Sequence, residues 1–147
     1  MIALRPATLT DFDAVFPRTR ALNDHEGIEI VDARLAAGLR ALLGNPGFGG
    51  VWLVIREAET IGYAIVTYGF DLEFGGREGW LTELWIDADQ RTQGAGAAAL
   101  EALLPELVQR DVKAVHLQVR SDNPAKRLYE RTGFVASPRT IMTRRLD

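Results

Sequence analysis

The stretch Trp80-Leu81-Thr82-Glu83-Leu84-Trp85-Ile86, followed by Asp87-Ala88-Asp89-Gln90-Arg91-Thr92-Gln93 and then Gly94-Ala95-Gly96-Ala97-Ala98-Ala99-Leu100, passes from strand through loop to helix. The first seven residues are rich in aromatic and branched side chains, as strands are. From Gly94 the spacing predicts a helix to about Arg110, with Leu100, Leu103, Leu104, Leu107 and Val108 as one apolar stripe. Pro105 falls inside it and predicts a kink, because proline removes one backbone bond and crowds the preceding turn. Val115, Leu117 and Val119 then alternate with His116, Gln118 and Arg120, the pattern of a half-buried strand over 114–119. A strand, a crossover helix and a second strand make a βαβ unit, which requires the two strands to be parallel.

Outward from that unit, antiparallel elements are expected on the N-terminal side. Ile2 to Ala7 reads as a short strand, Thr10 or Asp11 caps a helix to about Asn23, and a second helix is expected from Val31 to Leu43. Val51 to Glu57 and Ile61 to Phe70 read as strands joined by a polar turn at Ala58-Glu59-Thr60, hence a hairpin. On the C-terminal side, Asp122 or Asn123 caps a helix with Pro124 in its first position and Gly133 at its end. A last strand is expected over about Ile141 to Leu146. The fold class is therefore α/β, with a mixed central sheet, antiparallel first and parallel in the second half, flanked by about four helices. The 147 residues are about one domain's worth, so residues 1–147 are read as one unit.

Composition narrows the function. Cysteine is absent, which excludes disulfides, thiolate metal ligands and a cysteine nucleophile, and the two histidines, His25 and His116, are far apart; no metal is expected. A net charge of −3 argues against nucleic acid as a partner. Apolar runs such as Val51-Trp52-Leu53-Val54-Ile55 fall far short of the roughly 20 residues of a membrane helix. The opening Met1-Ile2-Ala3-Leu4-Arg5-Pro6 does not read as a secretory leader, so a cytoplasmic location is expected.

Arg91 to Gly96 lie where loop becomes helix. Gly94 and Gly96 let a ligand approach the backbone without Cβ obstruction, and the unpaired N–H groups at the positive end of the helix dipole suit a pyrophosphate. Arg91 can add a fixed charge beside it. Two glycines that merely ease a loop into a helix are the structural alternative. Gly94-Ala95-Gly96-Ala97-Ala98-Ala99 also matches the G-x-G-x-x-A fingerprint of dinucleotide-binding folds. Against that, Gly94 lies eight residues beyond Ile86, Lys113 and Ala114 occupy the region of the acidic ribose ligand, and 51 residues after Gly96 are too few for a doubly wound sheet.

Taken with the rest of the chain, these residues resemble the Gcn5-related N-acetyltransferase (GNAT) family. Its cofactor motif R/Q-x-x-G-x-G/A is matched by Arg91, Gly94 and Gly96; Leu84-Trp85-Ile86-Asp87 is similar to its central strand. Asn123, Ala125, Leu128, Tyr129, Gly133 and Phe134 resemble its N-x-x-A-x-x-L-Y-x-x-x-G-F region, and Leu4-Arg5-Pro6-Ala7 with Asp11 its opening. Nearly the whole chain is covered. The resemblance implies acetyl-CoA as co-substrate, its pyrophosphate held by Arg91, Thr92, Gln93, Gly94, Ala95, Gly96 and Ala97. It further implies that the pantetheine arm lies along Leu84, Trp85 and Ile86, where the central strand splays from its parallel neighbour, with Asn123 also among the cofactor-binding residues. The sequence departs from the family at Thr92, where glycine is common, and at Thr82, where some members carry an acidic residue.

The implied activity is acetyl transfer to a primary amine, of a small molecule, polyamine, aminoglycoside-like compound or protein, by direct attack in a ternary complex. A non-catalytic acyl-CoA-binding module is the alternative. Attack of an amine on a thioester needs a neutral amine, a stabilised oxyanion and a protonated leaving thiol. Tyr129 is the candidate proton donor, although its helical stripe with Ala125, Leu128 and Thr132 also fits a core aromatic. Glu83, the only carboxylate among residues 80–86, is the candidate base, and backbone N–H groups near Trp85 or Ile86 are expected at the oxyanion. Asp24, Glu26, Glu29, Asp71 and Glu73 could draw a cationic amine, as could His25, though all fit solvated surface positions. Members of this family often pair, so a homodimer is an expectation.

Overall fold

The computed structural model describes residues 1–147, the side chain of Thr92 excepted. Five strands, β1 (Ile2–Pro6), β2 (Gly49–Arg56), β3 (Glu59–Asp71), β4 (Gly76–Ile86) and β5 (Val112–Leu117), form one sheet in sequential order. The pairs β1–β2, β2–β3 and β3–β4 are antiparallel, and β4–β5 is parallel. The expected mixed α/β sheet is therefore present, with helix α3 (Ala95–Gln109) as the crossover. Helices α1 (Phe12–His25), α2 (Asp32–Gly44) and α4 (Ala125–Arg131) complete the set. None of the described helices is long and apolar enough to cross a membrane.

Alternation along the strands sorts side chains between two layers. Val51, Leu53, Tyr63 and Ile65 pack with Val15 of α1 and Leu39 of α2 on one face. Trp52, Ala64, Val66 and Leu81 meet Leu100, Leu103 and Leu107 of α3 on the other. Val108, expected in the α3 stripe, is exposed, because at 100° per residue it lies about 80° round from Leu100. Helix α3 continues through Pro105.

Several boundaries move. A short 3₁₀ turn, Leu9–Asp11, precedes α1, and Asp11 turns back to accept the Thr8 N–H at 2.9 Å and to pair with Arg5 at 2.8 Å. The β2–β3 turn is Glu57-Ala58, one to two residues earlier than read, with φ of +49° and +67°. Such a two-residue turn matches strand twist but usually carries Asn-Gly, so nothing in its composition announces it. Strand β4 begins at Gly76 rather than Trp80, and β5 ends at Leu117 rather than Val119.

The expected strand over Ile141–Leu146 does not form. Residues 135–147 are extended or irregular and exposed. A strand needs an edge to pair with, and this segment joins none; its ties are ion pairs from Arg139 to Glu73 and from Arg34 to Asp147. Pro138 at its start lacks an N–H, and Arg139, Arg144 and Arg145 favour water.

The hairpin turn yields a prediction. Ala58 holds a left-handed conformation that disfavours a Cβ, so Ala58→Gly should stabilise the fold by about 1 kcal/mol in urea unfolding. Loss of stability would show that the turn is not left-handed in solution.

Candidate active site

Strand β4 changes partners part-way along. Its ladder with β5 runs only from Arg77↔Val112 to Leu81↔Leu117, whereas its ladder with β3 continues to Ile86↔Gly62. Residues Thr82 to Ile86 therefore have a strand on one side only. At the same point, Ile65 pairs with Glu83 and Val66 with Leu81, so Thr82 is an extra residue, a β-bulge. The Asp87 N–H donates to Ile61 O at 2.7 Å on the β3 side. By alternation Trp85 and Glu83 also turn their backbone groups toward β3, while Leu84 and Ile86 turn theirs to the open side. Of the two positions expected to serve an oxyanion, Ile86 faces the opening and Trp85 does not; Leu84 joins it.

The open edge leads into the glycine turn. After Ile86 the chain forms a 3₁₀ segment, Ala88–Gln93, and reaches Gly94 at φ +68°, the cap of α3. The first bond of α3 across this junction is Ala98 N–H to Gly94 O at 3.1 Å. Among the described residues the N–H groups of Gly94, Ala95, Gly96 and Ala97 find no acceptor, as expected for a helix start. A Cβ on Gly94 would meet nothing within 4 Å, and one on Gly96 only the Leu128 side chain at 3.7 Å. Neither glycine is required by protein packing. Only the backbone angle of Gly94 needs one, and the space above Gly94 is open to a ligand.

Arg91 is anchored rather than free. Its Nε donates to Ile86 O at 2.7 Å and its guanidinium stacks 4.3 Å over the Trp85 ring, which leaves its terminal nitrogens beside the end of the open edge. Gln93 is exposed, and Thr92's side chain lies outside the described residues. The Asn123 Oδ1 accepts the Ala125 N–H at 2.9 Å, so this residue caps α4, with Pro124 helical at φ −56°. Gly133 ends the helix at φ +97°, as expected.

The two candidate catalytic side chains approach the opening from opposite faces of the sheet. Tyr129 packs on the α3 side, edge-on to Phe134 at 5.9 Å. Burial pushes its phenol up, and the charge of Glu26 at the end of α1 adds to the shift. Glu83 lies on the α1 side and accepts a hydrogen bond from the fully buried Tyr63 hydroxyl at 2.6 Å. Burial raises the Glu83 carboxyl above its ordinary range, with the Tyr63 bond acting the other way. Burial, then the Glu83 charge, pushes Tyr63 up as well. His25 is exposed but lies 6.2 Å from the Trp85 ring, so the end of α1 borders the opening. Of the acidic candidates, Asp24 is paired with Arg20 at 2.9 Å, while Asp71 and Glu73 are on the distant β3–β4 turn.

Two residues that the sequence did not single out hold this arrangement. Arg18 grips Asp87 with two bonds, 2.9 and 2.7 Å, and also donates to Ala14 O and Thr60 O, tying α1 to the end of β4. Tyr63 fixes the Glu83 carboxylate. Both contacts join residues distant in sequence and leave no local pattern.

Residues 16–134 match the sequence model of the Acetyltransferase (GNAT) family, and the chain belongs to that family. The ribosomal protein bS18-alanine N-acetyltransferase of Escherichia coli (strain K12) is 43% identical over 58 residues, 39% of this chain and 39% of that protein. The match thus spans well under half the length of this curated relative. Among solved structures, an integron cassette protein from the mobile metagenome of Cole Harbour Salt Marsh is 26% identical, with a TM-score of 0.85 over 98% of this chain and 90% of that one. A predicted acetyltransferase from Clostridium acetobutylicum, solved with acetyl-CoA, has the same fold: 22% identity, TM-score 0.78, 98% and 96% coverage.

The raised carboxyl sets a pH dependence. The folded chain holds the Glu83 proton more tightly than the unfolded chain, where the value is about 4.3. That contribution to stability is full below the unfolded value and is lost as pH rises through the folded one. Glu83→Gln removes the titration, so its stability relative to the native chain should increase as pH rises above about 4. A difference that stays flat over this range would mean that Glu83 is solvated like a surface glutamate.

Proposed function

We propose that this protein is an acetyl-CoA-dependent N-acetyltransferase that acts on a primary amine by direct attack in a ternary complex. The observation that carries the reading is the continuity of the open β4 edge with the N-terminus of α3. Amide-bearing pantetheine can add to the edge as a strand would, through Leu84 and Ile86, while the pyrophosphate meets the N–H groups of Gly94 to Ala97 and the Arg91 guanidinium. Arg91 stacks on Trp85 and bonds to Ile86 O, so its charge is already placed and little side-chain entropy is lost on binding. Asn123 acts on this site indirectly, as the cap that positions α4.

The chemistry follows from the faces. Glu83 takes a proton from the acceptor's ammonium, directly or through water, and its raised pKa brings it closer to the working pH of a base. The amine nitrogen then forms a bond to the thioester carbonyl carbon. The Leu84 N–H, farther along the edge from the glycine turn, faces the developing oxyanion, while the Leu84 carbonyl and the Ile86 N–H pair with the pantetheine. As the carbon–sulfur bond breaks, Tyr129, protonated at neutral pH as a phenol is, passes its proton to the thiolate. The nitrogen of the new amide gives up its remaining extra proton to water, and Tyr129 is reprotonated from solvent. A chain without cysteine offers no thiol for an acyl-enzyme, in keeping with direct transfer.

The test is thiol release from acetyl-CoA across a panel of amines, with cofactor affinity measured alongside. Tight binding without thiol release from any amine would identify a binding module instead. Gly96→Val places a branched side chain beside Leu128 and the turn, at a position without a positive φ, so the crowding should raise the acetyl-CoA Kd about tenfold or more while unfolding stays cooperative. Unchanged affinity would place the pyrophosphate elsewhere. Tyr129→Phe should lower kcat about a hundredfold with little change in that Kd, and an unaltered kcat would return Tyr129 to a packing role.

A further inference from the structure

One cluster of side chains is not used by this mechanism. Glu78 lies on β4, on the same face as Glu83: a Cβ on Gly69 would touch Glu78, and Gly69 shares a face with Thr67, Ile65 and Tyr63 along β3. Both carboxylate oxygens of Glu78 are held, Oε1 by the Trp80 indole N–H at 3.0 Å and Oε2 by His116 Nε2 at 3.1 Å. The Trp80 and His116 rings lie 4.9 Å apart across the β4–β5 ladder, and Phe74 from the β3–β4 turn approaches His116 at 5.4 Å. The helices of this face pack on residues nearer its other end, such as Val51, Leu53 and Tyr63, so the rings stay half-buried or exposed. Lys113, beside Gly76 on this face, is tied to Asp111 at 2.7 Å.

The geometry points to a second anchoring site for the acceptor: we propose that Glu78, framed by Trp80, His116 and Phe74, receives a cationic group of an elongated diamine whose other amine is acetylated beside Glu83. A carboxylate whose orientation is fixed by two N–H donors, bordered by aromatic faces, attracts an alkylammonium by charge and through the ring quadrupole. Each of its oxygens retains a lone pair for a further donor. The spacing is set by the register. Glu83 pairs with Ile65 and Glu78 with Gly69, four residues along β3, which places the two carboxylates roughly 13 Å apart along the strand. A short amine at Glu83 cannot reach Glu78, whereas a long aliphatic diamine can span both and lay its methylenes over Trp80. This inference rests on the proposed acetyltransferase activity and names its acceptor class.

The experiment measures kcat/KM with acetyl-CoA for unbranched terminal diamines from diaminopropane to diaminododecane, with propylamine and hexylamine as monoamine references. The expected profile rises with chain length to a maximum near diaminodecane. Glu78→Gln, which keeps the size and an acceptor for Trp80, should cut the ratio of long-diamine to monoamine kcat/KM about five- to tenfold, through KM rather than kcat. Trp80→Leu, which removes the aromatic face, should cut the same ratio. A profile flat with chain length, or a ratio unmoved in Glu78→Gln, would overturn the second anchor while monoamine turnover left the acetyltransferase reading intact. No thiol release with any of the amines would overturn both.

Discussion

The site depends on one interruption of backbone pairing. Strand β4 keeps β3 along its whole length but loses β5 after Leu81↔Leu117, so Leu84 and Ile86 present amide groups to an opening where a sheet interior would have consumed them. An unpaired edge inside a fold is costly unless water or a ligand satisfies it. The bulge at Thr82 occurs at the same level and shifts the alternation by one, which puts Glu83 rather than Thr82 on the α1 face beside Tyr63. Without that extra residue, the candidate base would face the α3 layer and the Leu84 and Ile86 amides would face β3.

Rigidity around the opening comes from contacts that run across the sequence. Arg18 fastens α1 to Asp87, where β4 ends, and Arg56 reaches Gln90 of the 3₁₀ segment at 2.7 Å. Arg91 closes back on Ile86 O. Together these fix the path from strand to glycine turn, so a ligand that spans the edge and the turn meets donors already in place. Burial then tunes the chemistry: it raises Glu83 and Tyr129 by the same cause, disfavouring the charged form, which poises one as a base nearer neutrality and keeps the other a proton donor.

The comparisons place this chain in a family, but the acceptor is a matter for its own surface. The open face of β4 carries Glu78, Trp80 and Glu83 on one side of the sheet, and the turn bearing Phe74 overlooks it. Longer hairpin strands than the sequence suggested create this face. Arg77, Glu78 and Gly79 read as loop by composition, yet they pair with Phe70, Gly69 and Tyr68, because β3 offers a long edge for them to join.

By itself the sequence determined the periodic elements and the turn chemistry: the stripe Leu100, Leu103 and Leu107, the Asn123 cap and Gly133 stop of α4, and the glycine turn after Arg91. These are local, since period and backbone angle depend on residues a few positions apart. The tertiary structure alone decided what depends on partners. It paired Tyr63 with Glu83 and Arg18 with Asp87, turned Val108 to water, and left Ile141–Leu146 without an edge to pair with. The physical reason is that strand pairing, burial and charge pairing are properties of neighbours brought together by the fold, and one chain segment carries no record of which neighbours those will be.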